Sequence, residues 1–260
     1  MRFLVVIALT LINHFACATS HAPYFDTQGR TDVISGGVRM ISIKTSKGIF
    51  KVWTKRIGNN PTIKVLLLHG GPGITHEYAL KYQKNLKGLI ISNMMSSVPA
   101  YNAYAKKVLM PSMNQQALEK IKKLEAQGLY ESPEYMELLK NHYYIQHILR
   151  MPADQWPEPV ERSFKHLNSK IYIQMNGPSE LGASGTLRNW DRSKALGTIT
   201  VPTLIIGARY DTMDPVHMKW MATQVKHGRY LYCAHGSHLA MYDDQSCYFN
   251  GLIQFLKGQS

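Results

Sequence analysis

The chain has 260 residues, 45% of them hydrophobic, with 30 Lys+Arg against 17 Asp+Glu and a formal charge of +13. That length suits one domain, or one domain carrying an insertion, and the apolar content excludes a disordered chain. The basic residues are scattered, with no run of four and no zinc-finger, bZIP or RRM signature. They describe a solvated basic surface, and no nucleic-acid partner is expected. Three cysteines exclude a disulfide scaffold.

The first 18 residues have the form of a secretory signal peptide. Arg2 precedes the apolar stretch Phe3 to Ile12, and Ala16-Cys17-Ala18 is a small-x-small cleavage site. The stretch is too short to span a bilayer, which needs about 20 apolar residues. A buried N-terminal helix and a lipid-modified Cys17 are the alternatives. Cleavage after Ala18 would leave an exported chain, periplasmic or secreted, with no stable membrane association. Its two cysteines, Cys233 and Cys247, could pair in an oxidising compartment, but their spacing alone does not decide it.

Val38 to Ile43 and Ile49 to Trp53 alternate as strands, and Ser46-Lys47-Gly48 between them predicts a hairpin. Lys64 to Leu68 is a short apolar run, expected as a strand buried on both faces. It leads into His69-Gly70-Gly71-Pro72-Gly73, a tight loop. Ala79 to Gln83 suggests a helix fragment, and Leu86 to Ser92 another strand. From Pro99 to about Lys170, charged and aromatic residues recur at helical spacing, as from Glu134 to Leu149. Ser132 followed by Pro133 is a helix start, and Asp214-Pro215 is a second. Val201 to Ile206 returns to buried-strand composition. Arg229 to Cys233 predicts a strand, and Gln245 to Leu256 a closing helix. Alternating strands and helices interrupted by a helical block predict an α/β fold with an inserted cap. The expected divisions are 1–18 for the signal peptide, 19–97 for the first part of the core, 98–185 for the cap and 186–260 for the second part.

A His-Gly-Gly loop directly after a buried strand lets backbone N–H groups approach a substrate closely, as an oxyanion hole requires. Farther on, Asp211 lies just past the strand ending at Ile206, and His238 follows the last strand, 27 residues later. An acid and then a histidine at successive strand ends is the second and third part of a Ser…Asp…His order. The acid would hold the imidazole tautomer, and the imidazole would take the nucleophile's proton. Asp214 competes as the acid but suits a helix cap better, and His235 competes with His238.

The segments LLLHGGPGITHEY, ALKYQKNLKGLIISNMMSSVPAY, HILRMPADQWPEPV, NGPSELGASGTLRNWDR, VPTLIIGARYDTMDP and GSHLAMYDD together resemble the proline iminopeptidases, serine aminopeptidases of the α/β-hydrolase superfamily. The resemblance runs from about residue 35 to the C-terminus. It implies that Asp211 and His238 are the triad acid and base, and that Gly70 and Gly71 belong to the oxyanion-hole loop. It also implies that Glu180 binds the free α-amino group of a peptide substrate, a task suited to a carboxylate. Relatives often carry a second acid after the triad Asp, where this chain has Thr212. No cofactor or metal is implied, since His76-Glu77 lacks the second histidine of a zinc helix.

The departure from the family is the nucleophile. No Gly-x-Ser-x-Gly elbow occurs: Gly177-Pro178-Ser179-Glu180-Leu181 lacks the last glycine, and Gly182-Ala183-Ser184-Gly185 is one residue short. Only 12 residues separate Gly73 from Leu86. The family holds two strands, a helix and the elbow there, so roughly 70 residues, about two βα units, are missing. The join falls at His76-Glu77-Tyr78-Ala79-Leu80; a recombined short repeat and a gene-model error would each leave it. Ser92, Ser96 and Ser97 are poor substitutes, because none sits on a strained turn. With a central strand absent, its former neighbours must either pair directly or leave unpaired ladders.

Overall fold

The computed structural model describes residues 37–55, 65–67 and 74–258. The chain divides into two compact units between Val65 and Leu66. In the first, β1 (Val38–Thr45) and β2 (Gly48–Lys55) form the expected antiparallel hairpin, each strand longer than the alternation alone predicts. Thr45 pairs with Gly48, so the turn is Ser46-Lys47. Gly48 has φ +124, a conformation that a side chain would oppose. Both faces of the hairpin are largely exposed, including Ile49 and Trp53.

Val65, Leu66 and Leu67 contradict the expected buried strand: they lie outside any strand and are exposed, Leu67 at 86%. A strand is buried only when a neighbour takes its N–H and C=O groups, and no described strand pairs with this run. Gly70 and Gly71 lie outside the described residues, as does the segment 1–18.

The second unit is built on a parallel sheet of order β3-β4-β5: Leu89–Ser92, Thr203–Ala208 and Gly228–Cys233. β3 begins later than predicted because Gln83–Asn85 forms a turn of 3-10 helix that Leu86 closes. β4 is buried along its whole length. Its alternate residues feed two cores: Ile205 joins Leu89, Ile91, Met218 and Met221 on one face, while Leu204 and Ile206 join Tyr248 and Phe255 on the other. Among the described residues, β3 pairs only with β4 and stands at the sheet edge.

Nine α-helices of four residues or more are described. They begin with α1 (Ile74–Tyr82), α2 (Val98–Tyr104), α3 (Gln115–Ala126), α4 (Pro133–Leu139) and α5 (Glu158–Lys165). α6 (Ser169–Met175), α7 (Pro215–Gln224), α8 (Ala240–Asp243) and α9 (Gln245–Lys257) follow. Both predicted starts are capped as expected: Ser132 accepts from Tyr135 N at 3.2 Å, and Asp214 from Val216 N at 2.8 Å. α4 continues through a π turn (Lys140–Tyr144) into Ile145–His147, covering nearly all of the predicted 134–149 helix. The helices from α2 to α5 share a core of their own, with Leu109, Ile121, Tyr135, Leu139 and Tyr143 buried.

The residues at the expected join fold as α1. Ala79 packs into the sheet core, and Glu77 pairs with Arg192 at 2.6 Å while accepting from Trp190 Nε1 at 2.9 Å. His76 is fully buried and neither ring nitrogen has a partner; burial lowers its pKa to about 4, against the raising effect of Glu77. No described helix is long and apolar enough to cross a membrane.

Candidate active site

β4 and β5 end side by side, and the segments leaving them carry Asp211 and His238. The geometry pairs His238 with Asp211. His238 Nδ1 lies 2.9 Å from Asp211 Oδ1. Asp214 instead caps α7, and His235 is exposed, its backbone N–H donating to Asp244 at 3.1 Å.

Asp211 is fully buried and heavily hydrogen-bonded. Its Oδ1 accepts from Met213 N at 3.0 Å, and its Oδ2 from Asn93 Nδ2 at 2.6 Å. Asn93 Nδ2 also lies 3.3 Å from Ser237 O, which links the acid to the histidine segment. Thr212 Oγ1 sits 3.4 Å from both Asp211 Oδ1 and His238 Nδ1. These bonds hold a carboxylate in a buried place without a full counter-charge.

His238 is one-quarter exposed at its side chain. Burial opposes its charged form most strongly, yet the Asp211 charge and hydrogen bond, with Glu180 and Asp243, raise its pKa above 6.5 overall. Its loop is pinned at several points: His238 N donates to His147 O at 3.0 Å, Leu239 N to Ile148 O at 2.9 Å, and Ser237 N to Asp243 at 3.0 Å. His147 donates or accepts through Nδ1 at Tyr210 O, 2.9 Å away, and burial lowers its pKa.

Glu180 is ringed by tyrosines from the helical segment. Its carboxylate accepts from the Tyr172 hydroxyl and has the Tyr101 hydroxyl 3.2 Å from Oε2. Its backbone carbonyl accepts from Tyr143 at 2.8 Å. Burial, then the Glu180 charge, raises the pKa of all three tyrosines, so they remain neutral donors. The Glu180 charge also favours the protonated form of His238.

The structure adds Asn93, Tyr101, Tyr143 and Tyr172 to the residues that the sequence suggests. Asn93 had one local signal: it follows a strand, and asparagine tolerates the left-handed backbone it adopts, φ +50. The three serines downstream of that strand are otherwise engaged. Ser92 Oγ bonds Asn93 and Tyr248, Ser96 bonds His217 and Ser193, and Ser97 donates to Asp191. Ser96 lies 3.0 Å from His217 Nε2 but is fully buried, out of reach of a substrate. Among the described residues, no hydroxyl bonds His238 Nε2.

The parallel sheet and its helices make this an α/β-hydrolase fold. A proline iminopeptidase of Mycobacterium smegmatis has a similar structure, with TM-score 0.61 at 22% identity over 71% of this chain and 61% of the other. The structure of VinJ matches with TM-score 0.66 at 24% identity, over 72% of this chain and 62% of the other. The chain thus spans about three-fifths of each solved structure. No family model matches it. In sequence, the proline iminopeptidase of Chitinophaga pinensis is 42% identical over 291 aligned positions, covering 84% of this chain and 97% of the relative. The chain belongs to the proline iminopeptidase family.

Proposed function

We propose that this chain is a proline iminopeptidase-type hydrolase that keeps its acid, base and amino-terminus pocket but has lost its nucleophile. The family reaction would release an N-terminal residue, preferably proline, from short peptides. Asp211 would fix the tautomer of His238, and His238 Nε2 would take the proton of a serine hydroxyl as its oxygen attacks the carbonyl carbon. Glu180, held by Tyr101 and Tyr172, would pair with the substrate ammonium. Gly70 and Gly71 would supply the oxyanion-hole loop.

The observation that carries the proposal is the absent elbow. The match to the Chitinophaga pinensis relative supports it: 84% of 260 residues is about 218, against 291 aligned positions, a shortfall of about 73. This agrees with the interval missing between Gly73 and Leu86. Without the serine no acyl-enzyme forms, and the elbow's backbone N–H is lost as well. The remaining capacity is binding of peptides with a free amino terminus.

The domain reading is part of the same proposal: residues 98–185 are the cap, and 19–97 with 186–260 the core. Export with cleavage after Ala18 completes it. A serine-directed activity probe and calorimetric titration with a short proline-initiated peptide test the reading. Peptide binding without labelling is expected; labelling of the native chain contradicts it. A second reading, an unstable truncated product, is favoured by the β3 edge and exposed Val65, Leu66 and Leu67. Thermal melting separates the two.

A further inference from the structure

The geometry points to a disulfide between Cys233 and Cys247 that staples the loop carrying His238. Cys233 ends β5 and is fully buried; Cys247 is the third residue of α9 and partly exposed. Their sulfurs lie 2.8 Å apart, both as free thiols. The intervening segment holds Ser237, His238, Asp243 and Asp244. A link would therefore fasten both ends of the base-bearing loop, between strand and helix.

A metal site is the competing use of the same atoms, because Asp244 offers a third donor and all three donor atoms lie within 4.8 Å of one another. The chemistry favours the disulfide. Asp244 already accepts from His235 N at 3.1 Å. Burial, then the hydrogen bond that Cys233 donates to Cys247, pushes the Cys233 thiol well above its ordinary pKa, which opposes the thiolate that a metal requires. In a disulfide both sulfurs are neutral.

The oxidant is a small-molecule disulfide such as oxidised glutathione. Cys247, the accessible sulfur, attacks as thiolate and displaces one glutathione thiolate, giving a mixed disulfide. Cys233 loses its proton, attacks the Cys247 sulfur and displaces the second glutathione. Two protein thiols are oxidised and one glutathione disulfide is reduced to two thiols. Formation in the cell rests on the export reading, since a reducing cytosol would keep both thiols free.

The full chain, native and in concentrated guanidinium, is equilibrated with oxidised and reduced glutathione, then alkylated and digested with trypsin. Tyr230–Lys257 contains both cysteines and no internal Lys or Arg, while Cys17 falls in another peptide. In the native sample this peptide should be two hydrogens lighter and resist alkylation until reduced. The equilibrium for pairing should favour the native chain by at least about tenfold over the denatured one. In Cys247→Ser, Cys233 should remain an alkylatable thiol. Equal pairing in both samples, a persistent glutathione adduct, or protection only by added zinc would overturn the proposal. N-terminal sequencing of exported material tests export separately.

Discussion

Asn93→Ala should weaken the fold by about 3–4 kcal/mol. Asn93 Nδ2 donates to Asp211 Oδ2 at 2.6 Å and also lies 3.3 Å from Ser237 O. Asp211 is fully buried, and among the described residues that oxygen has no other partner. A hydrogen bond to a charged group contributes about 1.5–3 kcal/mol, and a buried acceptor left unsatisfied loses at least that much. Alanine must also hold φ +50, at about 1–2 kcal/mol for a residue with a Cβ and no local side-chain bond. Asn93→Gly tolerates the backbone but loses the bond, so its midpoint should fall between alanine and wild type. Urea unfolding followed by tryptophan fluorescence reads all three. If the chain is marginally stable, loss of the cooperative transition in the alanine variant is the same result. A loss below about 1 kcal/mol for Asn93→Ala would refute the argument that this amide holds the buried acid.

His238 should titrate above 6.5 in an NMR experiment, and Asp211→Asn should lower that value, because burial remains when the anion is gone. The linked stabilisation is therefore fully present below pH 6.5 and is lost as pH rises through the folded-state value. Glu180→Gln should weaken binding of a peptide with a free amino terminus roughly 10- to 100-fold, while an N-acetylated peptide binds neither protein. Reducing the proposed Cys233–Cys247 link should lower unfolding stability by about 3 kcal/mol, the value for a loop of this length, read from urea midpoints with and without reductant. The purified chain should melt below about 60 °C, or without cooperativity, because β3 leaves one side unpaired among the described residues. A sharp calorimetric transition above that temperature contradicts this.

Locally encoded features were legible in the sequence. Ser132-Pro133 and Asp214-Pro215 cap their helices because the bonds they make reach only two or three residues along the chain. The apolar run in β4 is buried on both faces, as its composition predicts. The same composition misleads at Val65–Leu67, where burial depends on a partner strand and no described strand pairs with the run. The pairing of Asp211 with His238 was readable from their positions after successive strands. The tyrosines around Glu180 were not, because Tyr101, Tyr143 and Tyr172 come from three separate helical stretches and meet only through packing. The 2.8 Å approach of Cys233 and Cys247 likewise depends on how α9 returns to β5.

The proposed loss of the nucleophile is tested most directly by turnover of a proline arylamide, with the purified chain and the Chitinophaga pinensis relative assayed side by side. Loss of the acylating serine in a triad lowers turnover by about 10⁶-fold. The chain should therefore give a rate indistinguishable from buffer at concentrations where the relative is readily measured. Turnover comparable to the relative's, abolished by His238→Ala, would contradict the account and require a nucleophile elsewhere in the chain.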